Sequence, residues 1–496
     1  MPHPSGPASP APSAPADPPL APLKRLTAIT LALLAVFGLA TRVTGATWIA
    51  AVAAVLLVVF LAVGQPLISR RERTLATAAI LLGLLGLALL DDPFAVMWAG
   101  VQQSCFLASF MVLIGIMREP AKTSLAIDNL GRYLTRQPPS RRYGAIAIGA
   151  AVLAALANVG ALALLAPLVQ AGVSAAKDAG DTPEITAIKE RRQYSATLRG
   201  FALVVMFSPT TVTQALLNDL FPGADPSMVL LSGFLLALTW LVIGWSEDQL
   251  EGRVIRRGLL RTGTLPQRRP PLPMPLTALR DLSLIVAALI ASAVLITNTF
   301  HTEVVPALMM TTPFLTVIWL TTQNAGLPPR ARAATVGLRI EGIVMRALPS
   351  SAPEAVTLAS AGFIGTMLGA LIPTDALAFT LGTGAAGHIL IIAAMPVVVL
   401  LAAQIALTPI VVAVCLAASY QALGELPVSP LAMVLSLSVG WALSLTASQY
   451  TAAPLILSRL TRIHTFTLSW GWNWIYNLSV YVASVTFISA LELALM

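Results

Sequence analysis

GFALVVMFSPTTVTQALLNDL (200–220) and GWALSLTASQYTAAPLILSRL (440–460) are two versions of one motif. They align without a gap, Gly200 on Gly440, Ser208 on Ser448 and Thr211 on Thr451. Each is an apolar, helix-like run with a small polar cluster at its middle. In a membrane chain, polar breaks at corresponding positions of two halves point to a binding site at the interface of a repeat.

The rest of the chain says which solvent these motifs meet. Of 496 residues, 57% are hydrophobic and 10% charged, with mean hydropathy +0.82. A soluble domain carries about 25% charge. Apolar runs of about 20 residues recur, each long enough to cross a hydrocarbon core of about 30 Å. Such continuous runs exclude a membrane barrel, whose strands are short and alternating. The net charge of +8 raises nucleic acid as a partner. Most Lys and Arg, however, sit in short loops between spans, where they orient a membrane protein, so no nucleic-acid partner is expected. Cys105 and Cys415 lie in apolar runs without metal-ligand spacing, and indicate neither a disulfide nor a redox role. The stretch up to Pro22 is rich in Pro, Ala and Ser and is expected to be disordered. Its prolines precede Lys24-Arg25 and it shows no small-residue cleavage site, which argues against a signal peptide.

Spans are predicted at about 26–41, 46–64, 75–90 and 94–117. Arg70, Arg71 and Arg73 follow the second. Arg118, Lys122, Arg132, Arg136, Arg141 and Arg142 follow the fourth, and Asp91 and Asp92 sit between the third and fourth. By the positive-inside rule the N-terminus is cytoplasmic. The apolar stretch 143–176 has basic residues on both flanks, so it starts and ends on one side. It is too short for two full spans and suits two half-depth helices, turning near Asn158-Val159-Gly160. The first motif then crosses outward at about 195–217, and a span at 227–245 returns. After a basic, Pro-bearing linker come spans at about 281–298, 304–322 and 354–372. The charge-free stretch 389–423, flanked by Asp375 and Glu425, turns near Thr408-Pro409. The second motif descends to Arg459 and Arg462. A last span at about 469–490 begins with Trp470, Trp472 and Trp474 and leaves the C-terminus extracytoplasmic.

The predicted fold is therefore an all-α polytopic membrane protein with an inverted-topology repeat. Two five-span halves each carry a re-entrant hairpin and a broken helix, and one extra span precedes them. The boundaries are a tail at 1–23, the extra span at 24–45, a first repeat at 46–245, a cytoplasmic linker at 246–280 and a second repeat at 281–496. The hairpins fall at about 143–176 and 389–423, the broken spans at about 195–217 and 427–460.

This order of elements resembles the ion transporter superfamily, which includes divalent anion/sodium symporters, citrate carriers and arsenite-type permeases. LANVGALALLAPLV (156–169) is similar to that family's first hairpin, where a Ser-Asn-Thr tripeptide precedes an apolar run and a Pro. Asn158 and Pro167 keep the spacing; Ala157 and Val159 stand where the family has Ser and Thr. Ser208-Pro209-Thr210-Thr211 and Ser448-Gln449-Tyr450-Thr451 fall where the family has polar unwound loops. The second hairpin, QIALTPIVVAV (404–414), keeps a Thr and has no Asn. The resemblance implies that hairpin tips and unwound loops hold the substrate and, in sodium-coupled members, the cation. It also implies a homodimer that moves a transport domain past a fixed scaffold, an elevator.

Half-helix N-termini carry about +0.5 charge and free N–H groups, so they suit anions without any charged side chain. Unwound carbonyls suit Na+. The candidate ligands are Asn158 and Gly160, then Ser208, Thr210 and Thr211, then Thr408, and finally Ser448, Gln449 and Thr451. Each has an ordinary alternative. Asn158 could make an interhelical hydrogen bond, and the hydroxyls could bond back to helix carbonyls; Tyr450 suits packing. Asp375, in IPTDALAF, is the proton-coupling candidate, because an acid within the membrane is functional by default. The topology places it at the outer end of a span. His388, near the outer face, is a second proton-switch candidate. Gln102 and Gln103 are expected to bond to a neighbouring helix.

Together these features predict a secondary active transporter of a small anionic solute in the cytoplasmic membrane. Na+ or H+ would be the coupling ion, with no other metal or cofactor, and the partners would be the solute and membrane lipids. Two other classes stay open: an integral membrane enzyme acting on a lipid-linked substrate, and a transport-inactive scaffold. The sequence has no HExxH, no GxSxG and no intramembrane pair of acids, so enzyme activity is not expected. No GxxxxGK[ST] loop occurs either, which removes an ATP-driven pump.

Overall fold

Helix ends in this chain are set by short polar residues and prolines. Ser69 and Glu72 form a reciprocal capping box that starts one span. Asp92 accepts from the Ala95 N–H at 3.2 Å to start the next. The computed structural model describes residues 21–158, 160–178, 181–262, 272–371, 385–421 and 428–495. All regular structure among them is helical. Among the described residues ten helices are long and apolar enough to cross a membrane, one of them Ala386–Gln404 in the second hairpin, where the sequence predicts a half-depth helix.

The chain opens with α1 (Ala21–Thr44), α2 (Thr47–Val63), α3 (Arg70–Leu89) and α4 (Pro93–Gly115). Two short helices follow, α5 (Arg118–Lys122) and α6 (Leu125–Thr135). A helical hairpin comes next, α7 (Pro139–Ala157) and α8 (Gly160–Asp178). The first motif forms α9 (Pro183–Leu203), a 3-10 turn (Val204–Met206) and α10 (Val212–Leu220); α11 (Pro226–Thr262) closes this half. The second half holds α12 (Leu276–Phe300), α13 (Val304–Gln323), α14 (Pro329–Gly342), a π-helical turn (Ile343–Ala347), α15 (Leu348–Ser350) and α16 (Ala352–Leu371). A second hairpin is α17 (Ala385–Gln404) and α18 (Pro409–Gln421). The second motif forms α19 (Pro430–Ala447) and α20 (Ala452–Thr461), and α21 (Trp472–Leu495) ends the chain.

Several stretches expected as loops are helical. Segments 118–122, 125–135 and 329–342 carry their bases on helices, of which α6 is amphipathic and buries Ile127, Leu130 and Leu134 beneath a charged face. The stretch from 246 continues α11 to Thr262, because its acids pair with bases on α9. Arg192 meets Asp248 at 2.7 Å and Arg191 meets Glu251 at 3.1 Å. For the same reason α9 begins at Pro183 rather than near 195.

The motifs form the interior. Every residue of 431–447 in α19 is buried, as is every residue of 193–206 across α9 and its 3-10 turn. Their Gly, Ala, Ser and Thr residues let neighbouring helices close around them. Helix α7 packs along α9, and α17 along α19. The aligned glycines make these approaches. A Cβ on Gly200 would lie 2.3 Å from the Ala147 carbonyl oxygen, and one on Gly440 would lie 2.9 Å from the Pro396 Cα. A second group, α4 and α16 with α1, α3 and α13, packs beside this interior. There the Ser104 hydroxyl donates to the Ala359 carbonyl at 2.7 Å.

Gly200→Ala and Gly440→Ala should each lower thermal stability in detergent, by about 1–3 kcal/mol, because backbone rather than a flexible side chain must give way. Gly337→Ala, with open space around it, is the control and should be neutral or stabilising.

Candidate substrate and ion site

Pro209 has no N–H, so the Val205 carbonyl loses its helical donor, and the ring clashes with that carbonyl. The helix ladder ends with the Ser208 N–H on the Val204 oxygen at 2.9 Å. The structure supplies a replacement donor from α10. The Gln214 amide donates to the Val205 and Met206 carbonyls, both at 2.9 Å, and lies 2.9 Å from the Ser438 hydroxyl of α19. The hydroxyls of the break are spent in the same way. Thr211 donates to the Ser208 carbonyl at 2.7 Å, Thr210 to the Ala155 carbonyl of the first hairpin at 2.7 Å, and Ser208 bonds Thr210 at 2.8 Å.

The second break repeats this chemistry. Pro454 removes the donor for the Tyr450 carbonyl and stops the helix from running on. Thr451 donates to the Ser448 carbonyl at 3.1 Å, the counterpart of Thr211 on Ser208. Ser448 donates to the Ala403 carbonyl of the second hairpin at 2.7 Å. The Gln404 amide donates to the Ala447 carbonyl at 3.1 Å, and its oxygen accepts from Trp470 at 3.2 Å. Each break thus closes on the last turn of its own hairpin's first arm. The half-helices cross over: α20 packs on α8, and α10 on α18.

Both hairpin turns contain a non-glycine residue at positive φ. Asn158 has φ 48, a region Asn tolerates better than most residues. Ala406 has φ 64 in a Schellman turn, with the Leu407 N–H on the Ala402 carbonyl at 3.1 Å. Among the described residues, three buried or half-buried polar side chains at these tips and breaks lack hydrogen-bond partners, and the exposed Tyr450 hydroxyl is a fourth without one. The three are the carboxamides of Asn158 and Gln449, both half-buried, and the buried hydroxyl oxygen of Thr408. Gly160 has only ordinary contacts near its missing Cβ, with Ala157 and the Arg118 stem. Asp375 lies outside the described residues. His388 Nδ1 stands 3.5 Å from Glu492 Oε1 on α21. Gln103 bonds Asp219 of α10, the interhelical role expected of it, whereas Gln102 makes no side-chain hydrogen bond among the described residues.

Sequence reasoning missed a buried cation beside the first motif. Arg199 is 5% exposed. It pairs with Glu247 of α11 at 2.9 Å and donates to the Asn473 oxygen of α21 at 2.7 Å. Its guanidinium carbon lies 4.1 Å from the Tyr476 ring centroid and 5.9 Å from that of Tyr143. It stands next to Gly200, one residue before the first motif. Its burial inside α9 was the available signal, because that helix starts before the apolar run does. The interior of the helical bundle is therefore not free of charge. Three more arginines reach the motif-bearing elements. Arg42 pairs with Asp219, Arg71 donates to the Ala406 carbonyl at 3.2 Å, and the Arg118 stem packs on Gly160.

No protein-family model matches the chain, and no curated protein matches its sequence. Solved structures do resemble it. The YdaH transporter of Alcanivorax borkumensis, described as having an unusual topology, is 14% identical with TM-score 0.53, covering 85% of this chain and 98% of that one. MtrF of Neisseria gonorrhoeae, described within a class of antimetabolite efflux pumps, is 12% identical with TM-score 0.48, covering 77% of this chain and 80% of that one. The likeness to YdaH is one of fold: this chain has the fold of a membrane transporter.

Arg199→Met should destabilise the protein by about 3–5 kcal/mol, because it strands the Glu247 carboxylate. Arg199→Met with Glu247→Leu should recover much of that loss. Thermal unfolding of the two single variants and the double variant checks it.

Proposed function

We propose that this protein is a secondary active transporter of a small anionic solute, built as an inverted repeat of the ion transporter type. The reading rests most on one correspondence. Positions matched by the gapless alignment make the same contacts, Thr211 on the Ser208 carbonyl and Thr451 on the Ser448 carbonyl. A repeat that opens its backbone twice, each time against a hairpin tip, brings four helix ends to one region. Asn158, Thr408 and Gln449 are the polar groups left unspent there, and in this reading they meet the solute. Ser208, Thr210, Thr211, Ser448 and Thr451 hold the opened backbone in shape, and Gly160 leaves room at the tip. The hairpins are re-entrant, the N-terminus is cytoplasmic and the C-terminus extracytoplasmic. Asp375 stays the proton-coupling candidate. The motif-bearing unit moves as an elevator against the α4–α16 group, in a homodimer, driven by Na+ or H+.

Proteoliposome uptake of radiolabelled dicarboxylates, tricarboxylates and oxyanions under imposed Na+ or H+ gradients tests this. One gradient should drive accumulation of at least one anion. Asn158→Ala and Gln449→Ala should each raise KM about tenfold, the loss of one hydrogen bond to a charged group. If no anion accumulates under either gradient, the proposal fails.

A further inference from the structure

No positive side chain bonds the unspent amides and hydroxyls of the proposed site, and an anion leaving water has to replace its hydration. Arg118 stands where such a charge would serve. It begins α5, and its Cβ and Cγ lie 4.0 and 3.8 Å from the position a Cβ on Gly160 would occupy, at the turn of the first hairpin. Its side chain is 15% exposed. Its bonding is incomplete. Nη2 lies 2.9 Å from Glu354 Oε2 at the start of α16, yet neither Arg118 Nε nor that oxygen takes part in a hydrogen bond, and both are buried. A guanidinium satisfied by a carboxylate commonly makes two parallel bonds. This pair is a loose one-point contact, and Glu354 is 41% exposed and able to leave.

Beside the guanidinium is a cavity of about 50 Å³ lined by Arg118, Lys122, Ser350 and Ser351 among others. It exceeds the space one water needs, and a carboxylate head group is of similar size. Lys122 and Glu119 on its rim pair with each other at 2.6 Å, and the Ser350 hydroxyl donates to the Ala347 carbonyl at 2.6 Å. The Ser351 hydroxyl has no partner among the described residues. Ile343 and Ala347, the ends of a π-helical turn of the kind that recurs at functional sites, also line the cavity.

We infer that Arg118 is the charge that selects an anionic substrate, binding one carboxylate or oxyanion group in this cavity, and that Glu354 holds its guanidinium until the substrate displaces it. This rests on the transporter reading and adds to it a binding residue and an internal competitor. The two residues therefore act in opposite directions. Arg118→Gln weakens anion binding. Glu354→Gln strengthens it by removing the competing carboxylate. A purely structural ion pair would have both substitutions act alike.

The test titrates purified full-length protein with sodium succinate and sodium sulfate at constant ionic strength, reading the rise in melting temperature. At least one anion should stabilise the wild type. Glu354→Gln should lower its apparent Kd severalfold, and Arg118→Gln should raise it about tenfold or more. Arg118→Lys should fall between, keeping the charge without the planar fork. Equal affinity in the wild type and Arg118→Gln overturns the inference, as does loss of melting temperature in both variants with Kd unchanged, or no response of the wild type to either anion. Uptake separates the two readings. A solute transported with unchanged KM by Arg118→Gln sinks the subsite and leaves the transporter. Arg118-dependent succinate binding in a protein that transports nothing sinks the transporter and leaves the subsite.

Discussion

A backbone carbonyl without a donor, held away from water, costs several kcal/mol, and this chain opens its backbone twice in its most buried helices. That constraint explains the polar chemistry around the motifs. Gln214 and Gln404 turn toward exposed carbonyls, and Thr211 and Thr451 cap the same position of each break. Thr210 and Ser448 tie each break to a hairpin. With these bonds made, the Val205, Met206, Ser208, Ala447 and Ser448 carbonyls have donors where the ladder fails.

The same accounting separates scaffold from candidate ligand. A hydroxyl already donating to a carbonyl has no proton left to offer. Most of the hydroxyls at the breaks are of this kind, whereas Asn158, Thr408 and Gln449 are not. Arg199 works at another level. Its charge is met by a carboxylate, an amide oxygen and a tyrosine ring, and it joins α9 to α11 and α21 a few residues before the first break. A cation so enclosed fixes three helices at one height, and it cannot rearrange without exposing a desolvated charge.

Two polar contacts from the other group to these elements have the opposite character, although α16 also packs along α18 of the second hairpin. Arg42 is 38% exposed where it meets Asp219, and Arg71 reaches a single carbonyl at the second hairpin turn. Exposed ion pairs are worth little, about 0–1 kcal/mol. Such contacts can be exchanged at small cost, while the buried network inside the motif unit resists change.

Much of the fold was legible because it depends on local chemistry. Twenty apolar residues make a span in any context, Pro209 interrupts a ladder whatever surrounds it, and two stretches that align without a gap are visible in a string of letters. The amphipathic α6 and the extension of α11 to Thr262 were not legible, since charged residues look the same on a loop and on a helix face. The candidate site was legible only in position. Whether a hydroxyl is spent or free depends on its neighbour, and Ser448 finds Ala403, Thr210 finds Ala155 and Arg199 finds Asn473 across long stretches of chain. The sequence by itself determined a membrane-embedded helical bundle with two paired interruptions, because hydrophobic length and proline geometry act within a few residues. Only the tertiary structure decided which polar groups hold those interruptions open and which stay unpaired, because a hydrogen bond is settled by what packs opposite it.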